Sequence, residues 1–257
     1  LLQEVRPSGF AEFSDHDGVG GADHALRHRP DREEPWGCAI LVREPFSLLA
    51  SAPMVNLPSP ERSLVGLVRC GELVFEVAAL ATPPASSGWK QLKAVQADAF
   101  ADRWASRTHP LIAGLDRNAP RVDHPDFAQV VWFWEAEERL FGLDPKHDLR
   151  DVLRVYLDEH VAERRRIARE RPEGPLGVSF MRGKGQGNMP ARYDAIYASP
   201  EWKVLDVQYP WEESTRAGSD HGLVWAHLEL REDASAPPAG KGFEPRGEAG
   251  RKQRRVS

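Results

Sequence analysis

The chain has 257 residues, 41% of them hydrophobic, with 34 basic and 39 acidic side chains and a formal net charge of −5. That length can bury a substantial core in one domain, and the mildly acidic balance argues against a protein that coats nucleic acid or anionic membrane non-specifically. Two cysteines, Cys38 and Cys70, are too few for a disulfide framework and read as packing residues in a reducing, by default cytoplasmic, compartment. No apolar run reaches the length of a spanning helix.

In chain order, Leu1-Leu2-Gln3-Glu4-Val5 reads as the end of a buried strand entered midway. Residues 14–34, rich in Asp, His, Gly and Arg without periodicity, read as a loop. Pro and Gly then punctuate strand-like runs at 36–42, 64–69 and 73–80, and Cys70-Gly71 predicts a hairpin between the last two. Over 88–107 the spacing of Leu92, Val95, Ala99, Phe100 and Trp104 predicts a helix. A short buried strand at 111–113 precedes a polar turn. Residues 130–134 predict a helix, and a longer one runs from about 148 to 170 on a stripe of Leu149, Val152, Leu153, Tyr156, Leu157 and Val161. The Gly-rich stretch 182–190 reads as a mobile segment. Strands at 193–198, 203–208 and 223–230 close the fold. From Asp233 onward Pro, Gly and basic residues dominate, with six Lys/Arg between Lys241 and Arg255, which predicts a disordered basic tail over 233–257. Strands grouped by hairpins, with helices inserted between groups, predict an α+β sandwich rather than a doubly wound parallel sheet.

Polar signals stand where the strand runs end: Gln3-Glu4, Asp116-Arg117-Asn118 and Ser219-Asp220-His221-Gly222. Carboxylates at strand ends can converge on one edge and offer hard oxygens to Mg²⁺ or Mn²⁺. In an extended Asp-x-Asn, residues two apart point the same way, so Asp116 and Asn118 can address one ligand. Each signal alone also reads as a strand end or a capping turn.

Taken in order, these segments resemble a known superfamily. Residues 1–5 resemble its "LLQE" element, and Trp36-Gly37-Cys38-Ala39-Ile40-Leu41-Val42-Arg43 its "W-G-x-A-I-L-x-R" strand. Residues 111–120, Leu-Ile-Ala-Gly-Leu-Asp-Arg-Asn-Ala-Pro, resemble "I-x-A-G-D-x-N-A-P" with Leu115 inserted. Arg192-Tyr193-Asp194-Ala195-Ile196-Tyr197-Ala198-Ser199 resembles "R-x-D-x-I-x-x-S", and Ser219-Asp220-His221-Gly222-Leu223-Val224 the closing "S-D-H-x-x-V". The resemblance is to the endonuclease/exonuclease/phosphatase superfamily, of deoxyribonuclease-I-like proteins, over residues 1 to about 232. It implies a four-layer α/β/β/α sandwich of two mostly antiparallel sheets flanked by helices. It also implies a metal-dependent phosphoesterase that hydrolyses a phosphodiester or phosphomonoester with an activated water. By it, Glu4 and Asp220 are metal ligands and Asp116 positions or activates the attacking water. Asn118 hydrogen-bonds the scissile phosphate, His221 contacts it, and Asp194 holds the imidazole tautomer. The cofactor implied is Mg²⁺ or Mn²⁺. The partner is a phosphoester substrate, nucleic acid being one such class, and the chain is expected to be monomeric.

Two departures qualify that expectation. The superfamily's opening strand, with an Asn near the metal, has no counterpart before Leu1, so the first strand of the domain is expected to be missing and the chain on its own to be aggregation-prone and inactive. The place often held by His falls on Ala81, with Thr82 the nearest polar side chain. The alternative is therefore an impaired family member that binds a phosphorylated ligand or partner without turnover. His16, His24 and His28 among Asp15, Asp17 and Asp23 match no calcium-loop pattern and read as a solvated loop. Residues 183–187 are not a phosphate loop, since no Gly-Lys-Ser/Thr follows, and the aromatic run 131–134 reads as core.

Overall fold

The computed structural model describes residues 1–14, 19–27, 35–183 and 189–232. In chain order the elements are β1 (Leu2–Val5), α1 (Pro7–Ser14), β2 (Val19–Arg27), β3 (Trp36–Arg43), β4 (Ser47–Ala52), β5 (Ser63–Cys70), β6 (Leu73–Ala81), α2 (Lys90–Ala105), β7 (Leu111–Asp116), α3 (Glu135–Phe141), β8 (Arg150–Asp151), α4 (Val152–Glu159), α5 (Val161–Glu170), β9 (Phe180–Arg182), β10 (Met189–Ala191), β11 (Asp194–Ala198), β12 (Trp202–Gln208), α6 (Trp211–Arg216) and β13 (Trp225–Leu230).

The central sheet has the order β4-β5-β6-β7-β11-β8 and is antiparallel except for the β6–β7 pair, whose crossover is α2. Period-two alternation splits its side chains between two cores. Ala78 and Leu80 of β6, Leu111, Ala113 and Leu115 of β7, and Ala195 and Tyr197 of β11 pack under α2 and α3, against Phe100, Trp104, Leu140 and Phe141. Phe75, Val77, Ala79 and Ala81 of β6, with Ile112, Ile196 and Ala198, face the other way. There they meet Ala25, Cys38 and Ile40 of the β1-β3-β2 ladder and Trp202, Val204 and Val207 of the β12-β13 ladder. The result is an α+β sandwich of mostly antiparallel sheets flanked by helices.

The expected strand runs and the Cys70-Gly71 hairpin are present, with Gly71 at φ +58 in the left-handed region the tight turn requires. Three expectations are corrected, and a fourth falls partly outside the described residues. Residues 19–27 form β2 rather than a loop; with few apolar side chains, this strand is specified by its ladder with β3. Residues 130–134 are not helical, because Val131 bridges to Val122 and α3 starts only at Glu135, whose Glu137 reaches back to the Phe133 and Trp134 amides. The long helix over 148–170 is two helices: Asp151 caps α4, and His160 leaves helical geometry at φ −108, ψ 62 before α5. The Gly-rich stretch begins and ends in a hairpin, β9–β10, and residues 184–188 lie outside the described ones. The same holds for His16, Asp15, Asp17, His28 and the basic tail over 233–257. No described helix is long and apolar enough to cross a membrane.

Candidate active site

Asp116 ends β7 and Asp194 begins β11, and the antiparallel register sets the two residues directly opposite one another. Both therefore project from the same face of the central sheet, the one turned toward the β1-β3-β2 and β12-β13 ladders. Like charges directly opposite on neighbouring strands repel. Burial, followed by the charge of Asp194, pushes the Asp116 carboxyl up to about 7. His221 closes the group: its Nδ1 lies 2.8 Å from Asp194 Oδ2. Asp116, Asp194 and His221 each offer a ligating atom within 4.8 Å of the others.

The His221 ring is placed by the loop after α6. Its Phe180 neighbour makes an isolated bridge to it and packs ring to ring at 4.8 Å. Burial alone would depress its pKa, but the hydrogen bond and charge of Asp194, with Asp116 and Asp220 adding to them, push it up to about 9. The Asp194 hydrogen bond thus favours the doubly protonated ring, which donates from both nitrogens.

Asn118 is held in the left-handed region at φ +47. Its backbone N–H donates to Asp116 Oδ1 at 3.0 Å, and its side-chain amide donates to Asp116 Oδ2 at 2.8 Å and to the Thr82 carbonyl at 3.0 Å. Glu4 is also left-handed, at φ +54, where the β1–β3 register shifts. A bulge of this kind re-aims a side chain. Gln3 ties that strand to β7 by donating to the Gly114 carbonyl at 3.1 Å, which sets exposed Glu4 within electrostatic range of Asp116. Asp220 is exposed beside His221. The tight group is thus Asp116, Asn118, Asp194 and His221, with Glu4 and Asp220 at its margin.

Further residues support the site, and of these Arg62 carried no signal in sequence. Arg62, 5% exposed, lies over the Trp36 ring at 4.5 Å and within electrostatic range of Glu4 and Asp116, and its Nη1 donates to the Thr82 carbonyl at 3.4 Å. Thr82 itself turns its hydroxyl to the Arg117 carbonyl, so neither it nor buried Ala81 offers a side-chain donor to the site. Behind β11, the fully buried Arg192 binds Asp123 (Nε–Oδ2 2.7 Å) and Asp151 (Nη2–Oδ2 2.7 Å), and Arg154 reaches Asp123 at 2.6 Å. Tyr209 links the network forward, its hydroxyl donating to the Asp194 carbonyl at 3.1 Å. Arg192 and Ser199 stand in the segment read as "R-x-D-x-I-x-x-S", which explains both: Arg192 anchors the start of β11, and Ser199 Oγ accepts from the Leu111 amide at 2.9 Å at its end.

No protein-family model and no curated protein matches this sequence. Solved structures do match in three dimensions. The human Nocturnin catalytic domain with bound sulfate is 17% identical, with 90% of this chain and 80% of that chain covered at a TM-score of 0.61. A humanized D. rerio TDP2 is 13% identical over 89% and 84% of the two chains at 0.59. A Bacteroides thetaiotaomicron mannosyl-6-phosphatase is 16% identical over 89% and 84% at 0.52. Identities this low establish architecture alone, and on that ground the chain has the endonuclease/exonuclease/phosphatase fold.

Proposed function

We propose that the chain is a divalent-metal-dependent phosphoester hydrolase in which water attacks phosphorus. The observation that carries this reading is the convergence of Asp116, Asp194 and His221 within 4.8 Å, at one end of the sheet, with Asn118 bonded to Asp116. The donor chemistry fits a hard cation, since carboxylate oxygens of Asp116 and Asp194 predominate in the group. Glu4 and Asp220 would hold Mg²⁺ or Mn²⁺, which when bound supplies counter-charge to the phosphate.

Asp116, poised near 7, is matched to accept the proton of the attacking water as its oxygen bonds to phosphorus and the leaving oxygen departs. The Asn118 side-chain amide, whose two N–H groups donate to Asp116 Oδ2 and the Thr82 carbonyl, would release one of them to donate to the scissile phosphate. His221, kept cationic by Asp194, faces the charge that grows on the phosphoryl oxygens. Nucleic acid enters as a substrate class because a D. rerio TDP2 of this fold was solved with a single strand DNA product, and small phosphoesters enter through the mannosyl-6-phosphatase.

The test is hydrolysis of bis(p-nitrophenyl) phosphate, p-nitrophenyl phosphate and a labelled oligonucleotide, each with Mg²⁺, Mn²⁺ or excess chelator. Turnover that needs the metal supports the reading. No turnover of any of them, with retained binding of a phosphorylated ligand, replaces it with a binding role, consistent with the missing side-chain donor at Ala81.

A further inference from the structure

Helix α2 turns a polar, buried face toward the site. Lys93 is 1% exposed and its ammonium lies 2.6 Å from Oε1 of Glu137 on α3, a side chain buried to the same degree. The same ammonium donates to the backbone carbonyl of Asn118 at 3.0 Å. One turn further on, buried Gln96 donates to the Ala81 carbonyl at 3.1 Å. The helix thereby grips the chain at the ends of both β6 and β7.

Stability alone does not call for such a pair. Replacing a buried ion pair with apolar side chains of similar volume is often neutral or stabilising. What the pair holds is more informative. Asn118 is one of three non-glycine residues with positive φ among the described residues, a conformation that costs energy and persists only where its surroundings enforce it. In this conformation its carbonyl points back to Lys93 while its N–H and side-chain amide both turn to Asp116.

We propose that Lys93 is a positioning residue: neutralised by Glu137, it clamps the Asn118 carbonyl and so aims the Asn118 amide at Asp116. The effect on turnover rests on the phosphoester reading above, whereas the ordering of the Asn118 amide does not. The experiment therefore has two readouts on the full chain: metal-stimulated hydrolysis of bis(p-nitrophenyl) phosphate, and solvent exchange of the Asn118 side-chain amide by nitrogen-15 NMR. The principal variant is Lys93→Met with Glu137→Gln. It removes both charges, and the new side-chain amide oxygen can still accept from the Phe133 N–H as the Glu137 carboxylate does. It should melt cooperatively, lose about 10–100-fold in kcat with little change in KM, and expose the Asn118 amide to faster exchange. Lys93→Arg, which can still donate to the carbonyl, should recover part of both.

A folded double variant with wild-type turnover and wild-type amide protection would overturn the proposal, as would amide exposure with kcat unchanged. If the double variant does not fold, Lys93→Gln decides by the same criterion, since both readouts must fall together. A wild-type chain that is inactive on every substrate sinks the phosphoester reading, and the amide exchange then tests the clamp alone.

Discussion

At the scale of single residues, the cross-strand pairing of Asp116 with Asp194 dominates. Asp194→Asn should leave the fold intact, because the side chain lies at the end of its strand and Tyr209 bonds its backbone rather than its carboxylate. It removes the acceptor that keeps His221 protonated. The His221 pKa, followed by proton NMR, should drop from about 9, and kcat should fall by about 10²–10⁴-fold, the range expected when a proton-handling group is mis-set. The same groups set a pH dependence. His221 is raised from 6.5 to about 9, so the folded state binds its proton more tightly, and the stability this contributes is complete below about pH 6.5 and lost as pH rises through 9. Asp116, raised from 3.8 to about 7, acts with the same sign at lower pH: its contribution is complete below 3.8 and lost as pH rises through 7. These two groups should therefore lower the melting temperature of the metal-free protein as pH rises from 4 to 9, relative to variants that lack them. Asp116→Asn should flatten the lower part of that curve and His221→Gln the upper part. Asp116 and His221 drew attention in the sequence because they stand in polar segments beside strand runs, whereas Asp194 entered through the resemblance alone. Lys93, Glu137 and Arg62 were not legible there, since a charged residue in a helix or turn looks solvated until tertiary packing buries it.

At the scale of elements, β11 is positioned by charge as much as by apolar contact. Arg192 is pinned between Asp123, from the loop after β7, and Asp151, which also caps α4. Nearby Arg192 holds the Asp123 carboxyl well below the usual range despite its burial. Breaking one partner strands the others: Asp123→Asn or Arg192→Met should cost about 3–5 kcal/mol in denaturant unfolding. Conversely, since both aspartates are depressed, the network's stabilisation holds above the ordinary carboxyl pKa near 3.8 and is lost as pH falls further. Element prediction succeeded where an apolar run matches burial, as in β3, β5, β6 and β7. Helix α2 was expected as well, but its buried face carries Lys93 and Gln96 while Val95 is exposed, and β4 was not foreseen. Prediction failed where another interaction overrules pattern. The break at His160 interrupts a continuous apolar stripe, and β2 pairs along its length while carrying Gly20, Gly21, Asp23 and His24, none of which announces a strand.

At the scale of the whole molecule, the site joins bodies that no ladder joins. β1-β3-β2, β12-β13 and the six-stranded sheet are separate hydrogen-bonded sets among the described residues, meeting through the shared apolar core. Glu4 comes from the first and Asp116 and Asp194 from the third, while the loop between α6 and β13 carries Asp220 and His221. A divalent ion bound across them stabilises only the assembled state. At a hundredfold excess over Kd it should add about 2.7 kcal/mol, or roughly 5–10 °C in melting temperature for a chain of this size. Chelator should reverse the gain, and Glu4→Gln should reduce it.

The separateness of the ladders also bears on how the protein opens. Backbone amides in distinct cooperative units exchange with deuterium at distinct free energies. The interior amides of β6, paired on both sides within the six-stranded sheet, should exchange only on global unfolding. Those of β1, at the rim of its three-stranded ladder and carrying a bulge at Glu4, should exchange through a smaller and more frequent opening in which that ladder lifts while the central sheet stays formed. Metal should then slow deuterium uptake in β1 and around His221 far more than in β6. The cation would serve as a rivet between units that breathe independently without it, so occupancy could be read from β1 before any substrate is known.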